Sequence, residues 1–213
     1  MIRGIRGIIF DLDGVLCSTD QYHFLAWRAI AEEIGIPFDE TLRSKLRGVS
    51  RMDSLNILLG EHSDVYTTAE KEHMAEKKNQ LYCRYLSGMS EQNILPEVRD
   101  MLNRLKGRYR LAVGSSSKNA GFILAKTKLE SCFDAIADGN EIRNSKPDPE
   151  VFILAASKLS LLPEECIVLE DAPAGLLAAK AGGFASVAVG KSVEHSEADF
   201  HIQKTQDFSE LFD

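Results

Sequence analysis

The stretch Gly7-Ile8-Ile9-Phe10-Asp11-Leu12-Asp13-Gly14-Val15 decides how the chain is read. Three consecutive apolar residues ending in charge have the pattern of a buried strand that delivers its next side chains to a sheet edge. In extended backbone, residues two apart point to the same side, so Asp11 and Asp13 can address one group from one strand end. Gly14 then permits a tight exit. An Asp-x-Asp pair alone is as easily a solvated turn. Charge set directly after a buried strand, however, is costly unless neutralised, and a divalent cation with oxygen ligands is the usual remedy.

Three further apolar runs repeat the theme. Leu111-Ala112-Val113-Gly114 leads into Ser115, Ile167-Val168-Leu169 into Glu170-Asp171, and Ser186-Val187-Ala188-Val189 reads as a fourth strand. Amphipathic stretches around Val98–Leu105, Ala120–Thr127, Pro149–Leu159 and Ala174–Ala181 alternate with these runs, as βαβ units of a parallel sheet do. Ligands of such sheets lie beyond the carboxyl ends of the strands, where the polar residues fall. The fold class expected is α/β, a Rossmann-like parallel sheet with an inserted small helical cap. The insert is inferred because about a hundred residues separate Asp11 from Ser115, far more than a simple crossover needs.

Within the insert, a first helix is expected over about Asp20–Ile34, with Phe24, Trp27, Ile30, Ala31 and Ile34 on one face and Gly35 and Pro37 as its stop. A second covers Asp39–Leu46. A third starts at Ser50, spaced to Asp53 as in a capping box, and a fourth starts at Thr67 with Glu70 and ends near Gly88. The domains expected are therefore 1–17 with 93–213 as the α/β core and 18–92 as the cap.

Composition narrows the partners. The 213 residues are 44% hydrophobic and carry a formal charge of −7, which argues against nucleic acid because phosphate backbones demand a clustered basic surface. No apolar run is long enough to span a bilayer and no leader segment is evident, so a cytoplasmic protein, expected to be monomeric, is inferred. Cys17, Cys83, Cys132 and Cys166 lack Cys-x-x-Cys or zinc-ligand spacing and read as reduced core residues.

Asp11, Asp13, Glu170 and Asp171 together offer hard oxygen ligands suited to Mg²⁺ rather than zinc. Ser115-Ser116-Ser117-Lys118-Asn119, between a strand and a helix, brings hydroxyls and backbone N–H groups to where a phosphate could be held. Lys146 sits in Ser145-Lys146-Pro147-Asp148-Pro149, stiffened by two prolines. In the insert, Arg47-Gly48-Val49-Ser50-Arg51 joins a glycine loop, a helix start and two guanidinium groups, which would suit a second anion. His23 beside Trp27 reads equally as a cap residue or a ligand contact, and Lys78 lies on the fourth helix.

Asp11-Leu12-Asp13-Gly14-Val15, Ser115, Lys146 and Glu170-Asp171 resemble, in order and setting, the four signature motifs of the haloacid dehalogenase superfamily. Tyr22-His23-Phe24 with Trp27, Gly48-Val49-Ser50-Arg51 with Ser54, Lys78-Asn79 with Tyr82, and Ser117-Lys118-Asn119 resemble more narrowly the sugar phosphomutases within it. That resemblance implies Asp11 as the nucleophile that becomes an aspartyl phosphate and Asp13 as general acid and base. It implies Mg²⁺ on Asp11, the Asp13 carbonyl, Glu170 and Asp171. Ser115, the Ser116 N–H and Lys146 would hold the transferring phosphoryl group. Arg51, Ser117, Lys118 and Asn119 would hold the other phosphate of a small phosphorylated sugar. Thr19, His23, Trp27, Gly48, Val49, Ser50, Ser54 and Lys78 would complete the sugar contacts and the hinge. Arg47 stands where Lys is familiar, Ser116 where Ala is, and Ala172-Pro173 where Ser-Gln is. The activity implied is interconversion of β-glucose 1-phosphate and glucose 6-phosphate; a phosphomonoester phosphatase with the same aspartates is the alternative, and a non-enzymatic phosphosugar-binding regulator a third.

Overall fold

Ile8, Ile9 and Phe10 have no exposed surface, and the strand they form, β1 (Gly7–Phe10), lies inside a six-stranded sheet of order β3-β2-β1-β4-β5-β6. The structure is a computed structural model that describes residues 4–46, 49–191 and 196–212. The other strands are β2 (Arg110–Gly114), β3 (Ala135–Ala137), β4 (Cys166–Glu170), β5 (Ala185–Val189) and β6 (Phe200–Ile202). Every pairing is parallel, with Ile8 opposite both Leu111 and Ile167. A parallel sheet covered on both faces needs strands apolar throughout, and β4 is buried along its whole length.

One face packs Ile9, Ala112 and Val168 against Val151, Phe152 and Ala155 of α7 (Glu150–Lys158) and Ala178 and Ala179 of α8 (Pro173–Ala181). Phe10 meets Phe133 and Phe208 edge-on, with ring centres 6.0 and 6.3 Å apart. Burying a side chain of that size contributes about 1.5–3 kcal/mol, so the strand that carries Asp11 is among the most firmly held segments. The remaining helices of this unit are α5 (Pro96–Leu105), which buries Val98, Met101, Leu102 and Leu105, and α6 (Ala120–Thr127).

The order reverses at β1 and β4. The chain runs outward from β1 through β2 to β3, then returns to place β4 on the other side of β1. A crevice forms at the carboxyl ends of the strands flanking such a switch, where successive connections leave in opposite directions. Asp11 follows one of these strands and Glu170 ends the other.

The chain divides into two compact units, one of residues 1–18 with 89–213 and one of Thr19–Gly88. The second unit consists of α1 (Asp20–Glu33), α2 (Glu40–Lys45), α3 (Arg51–Leu59) and α4 (Thr68–Leu86), with a 3-10 segment at Gly60–Val65. Its core is Trp27, Ile30 and Ala31 from α1, Leu55, Leu58 and Leu59 from α3, and Ala75 from α4. Local caps hold the starts of α2, α3 and α4. Asp39 accepts from Leu42 N–H, Ser50 from Asp53 N–H, and Thr67 with Glu70 forms a reciprocal capping box. No helix among the described residues is long and apolar enough to cross a membrane. All four cysteines are free thiols.

Candidate active site

At the switch point, three side chains from distant parts of the chain meet in a buried cluster. Lys146 Nζ donates to Asp11 Oδ1 at 2.5 Å and to Glu170 Oε2 at 2.7 Å, and lies 4.5 Å from the centre of the Phe152 ring. Only 7% of Asp11, 8% of Lys146 and 1% of Glu170 is exposed. Burial alone would pull the ammonium towards neutrality, but the charges and hydrogen bonds of Asp11 and Glu170 outweigh it and hold the Lys146 pKa above its usual value. Burial and the Asp11 charge push Glu170 up to about 7, against the opposing pull of Lys146.

Glu170 is oriented by its own chain. Its Oε1 accepts from the N–H groups of Asp171 and Ala172, at 3.1 and 3.0 Å. The carboxylates of Asp11, Glu170 and Asp171 offer oxygens that all lie within 4.8 Å of one another. Three such groups against one ammonium leave an excess of negative charge around hard oxygen donors, which fits a divalent cation such as Mg²⁺. Two glycines make the cluster sterically feasible. At Gly14, with φ +89°, an added Cβ would strike the Asp171 carboxylate, and at Gly175 it would strike that of Glu170.

The serine loop follows β2. Ser115 is buried, its N–H donates to Ala137 O at 3.1 Å, and its Oγ accepts from Ser117 N–H at 3.2 Å. Ser117 Oγ in turn accepts from Asn119 N–H at 3.2 Å, just ahead of α6. Lys118 is exposed, while Ser116, Ser117 and Asn119 are half-buried. Asp13 is half-buried and its backbone bridges to Cys17, the Gly14 N–H donating to Cys17 O at 2.7 Å. The Cys17 thiol is raised well above its usual pKa by burial and by the neighbouring charges of Asp13 and Asp11, so it is no ready nucleophile.

The helical unit holds a second, separate cluster. Lys78 lies on α4 in register with the buried residues Ala75, Tyr82 and Leu86, and is itself only 3% exposed. Its Nζ lies 2.8 Å from His23 Nδ1, 5.0 Å from the Trp27 ring centre and 4.6 Å from that of Tyr82. Burial, then the charges of Lys78 and Arg51, hold His23 well below the usual imidazole range, so the ring is neutral and Nδ1 accepts from the ammonium. Tyr82 donates to the buried Thr19 hydroxyl at 3.1 Å, and its ring stacks on His23 with centres 4.1 Å apart. Arg51, in the first turn of α3, donates to Asn79 Oδ1 at 2.9 Å and pairs loosely with Glu76 at 3.7 Å. Ser54 is buried one turn along α3, and Val49 and Ser50 are half-buried just before it. Gly48, expected as a substrate contact, lies outside the described residues, as does Arg47.

Comparisons with known proteins identify the family. The model of the haloacid dehalogenase-like hydrolases matches residues 5–183. The chain belongs to the haloacid dehalogenase-like hydrolase family. Within that family, it is 38% identical over 208 residues to β-phosphoglucomutase of Bacillus subtilis, across 96% of this chain and 92% of the relative. It is 35% identical to the phosphorylated carbohydrates phosphatase of Thermotoga maritima, over 84% of this chain and 82% of the relative. The crystal structure of β-phosphoglucomutase from Clostridium difficile superposes with a TM-score of 0.92 at 35% identity, covering 98% of this chain and 96% of the other. This member of the family is therefore an enzyme similar to sugar phosphomutases and to sugar phosphatases.

Three contacts of these clusters were not anticipated. Phe152 beneath Lys146, Asn79 beside Arg51 and the hydroxyl of Ser116 all join segments whose register is set by tertiary packing. Lys78 did leave a trace in sequence, as a charge on the stripe Ala75, Lys78, Tyr82, Leu86.

Proposed function

We propose that the chain is a Mg²⁺-dependent β-phosphoglucomutase, interconverting β-D-glucose 1-phosphate and D-glucose 6-phosphate through glucose 1,6-bisphosphate and a phosphorylated Asp11. The observation that carries this reading is the meeting of Asp11, Lys146 and Glu170 at the switch of strand order. An Asp11 oxygen attacks phosphorus in line, the bond from phosphorus to the sugar oxygen breaks, and that oxygen takes a proton from Asp13. In the other half, Asp13 removes a proton from a sugar hydroxyl, whose oxygen takes the phosphoryl group back from Asp11. Lys146, Ser115 and the Ser116 N–H are assigned to the phosphoryl oxygens, where charge spreads in the transition state. Asp11, the Asp13 carbonyl, Glu170 and Asp171 are assigned to Mg²⁺, which when bound supplies further charge neutralisation.

Substrate choice is assigned in the helical unit to Arg51 for a second phosphate and to Thr19, His23, Trp27, Val49, Ser50, Ser54 and Lys78 for the sugar and hinge, and in the sheet unit to Ser117, Lys118 and Asn119 for phosphate. The test supplies β-glucose 1-phosphate with Mg²⁺ and a trace of bisphosphate. Glucose 6-phosphate is the expected product. Inorganic phosphate without glucose 6-phosphate would overturn the mutase.

The likeness to the Thermotoga phosphatase favours a second reading, in which water discharges phospho-Asp11 and small phosphomonoesters are hydrolysed. Arg51→Ala separates the two. A mutase loses sugar-phosphate turnover severely, whereas a phosphatase acting on a compact substrate loses far less.

A further inference from the structure

The serine at position 116 departs from the alanine familiar in the resembling motif, and its hydroxyl has a use. Ser116 Oγ accepts a hydrogen bond from the backbone N–H of Lys146 at 3.3 Å, across 30 positions of chain. The same loop is tied to the segment between β3 and Lys146 at two more points. Gly139 N–H donates to Ser117 O at 3.3 Å, and Asn140 Nδ2 donates to Lys118 O at 2.9 Å. Gly139 lies so close beneath the Ser116 carbonyl that an added Cβ would collide with it.

The other flank of the lysine segment is held from α7. Glu150 accepts from the N–H groups of Arg143 and Asn144 at 3.0 and 2.8 Å, and its own N–H donates to Asp148 Oδ1 at 2.9 Å. Lys146 thus extends from a segment gripped by Glu150 before it and by Ser116 at its own peptide nitrogen. Its ammonium must reach two buried carboxylates at 2.5 and 2.7 Å, so a small displacement of the backbone is felt at Nζ.

We infer that the Ser116 hydroxyl is a positioning residue for phosphoryl transfer, fixing the Lys146 backbone so that the ammonium stands against Asp11. It acts in addition to the role assigned to the Ser116 N–H, and it couples the loop after β2 to the lysine segment. Alanine here removes the acceptor from Lys146 N–H and leaves the N–H of residue 116 in place. The assignment rests on the phosphotransfer reading of Asp11.

The test uses the full chain with Mg²⁺ and radiolabelled acetyl phosphate. The Asp11 carboxylate attacks phosphorus, the bond to the acetyl oxygen breaks, and acetate leaves, so the rate of label entering the protein reports the step directly. Ser116→Ala is expected to slow labelling about 3- to 10-fold, the worth of one hydrogen bond, with half-saturation by acetyl phosphate little changed. Ser116→Thr, which keeps a hydroxyl, is expected to restore at least about half of the rate. In a Lys146→Ala background, Ser116→Ala is expected to change the residual rate less than about 2-fold, because the residue acts through that lysine. An equal effect in both backgrounds, or wild-type labelling by Ser116→Ala, overturns the assignment. Should Lys146→Ala not fold, the contrast between alanine and threonine at 116 decides. A wild-type protein that neither takes up label nor releases acetate overturns the phosphotransfer reading and this assignment with it, whereas an active wild type with an indifferent Ser116→Ala overturns the assignment alone.

Discussion

Lys146 and Asp11 are 135 positions apart in the chain and 2.5 Å apart in the fold. The contact is buried, so neither charge can be repaid by water if the other is removed. Lys146→Ala leaves Asp11 and Glu170 together without their ammonium, and should destabilise the sheet unit by about 3–5 kcal/mol. Phosphoryl transfer should fall by about 10²–10³-fold. Denaturant unfolding with and without Mg²⁺ checks the first part, with Mg²⁺ recovering a larger share of stability in the variant than in the wild type.

Glu170 gives a pH dependence whose sign can be worked out. Its pKa rises from 4.5 to about 7 on folding. Between those values the folded chain holds a proton that the unfolded chain has released, so this group's contribution to stability declines as pH rises through that window. Mg²⁺ needs the ionised carboxylate and competes with that proton. Its stabilising effect on the melting temperature should therefore be larger at pH 8 than at pH 6. A Mg²⁺-induced shift that is the same at both values would contradict the assignment of Glu170 as a ligand.

Gly175→Ala tests the steric argument. The new Cβ meets the Glu170 carboxylate and must displace it. Mg²⁺ affinity, measured by calorimetry, should weaken by about 10-fold or more. An unchanged affinity would mean that Glu170 yields without consequence.

In the helical unit, Lys78→Met removes the ammonium next to His23 while keeping the length of the side chain. The His23 pKa, followed by NMR, should move upward, though burial still holds it below the ordinary range. A histidine kept neutral in the fold costs stability as pH falls below about 6.5, where the unfolded chain takes up its proton. The variant should lose less stability on acidification than the parent does.

Local signals were readable and long-range ones were not. Ile8-Ile9-Phe10 announced a buried strand because both faces of that strand are covered, and α2, α3 and α4 begin next to Asp39, Ser50 and Thr67 because caps act over three residues. β3 and β6 escaped notice. β3 is only Ala135-Ile136-Ala137, mostly small residues between two aspartates, and β6 is broken by the exposed His201, so neither makes an apolar run long enough to stand out. Asp11 and Glu170 could be read as site residues because each ends a buried strand. The grip of Ser116 on Lys146 and of Asn79 on Arg51 could not be, since each depends on how two segments 28 to 30 positions apart come to rest.

The placement of β1 in the middle of the sheet also bears on synthesis. Residues 19–88 emerge as one unbroken segment and form one compact unit. β1 leaves the ribosome before them, yet its neighbours β2 and β4 begin only at Arg110 and Cys166. The strand that bears Asp11 thus waits, apolar, without its first neighbour until β2 has been made and without its second until β4 has. A nascent chain stalled before Arg110 would present that strand with neither neighbour, and one stalled before Cys166 with a single neighbour, making the interval between β1 and β4 the vulnerable period in the life of this protein.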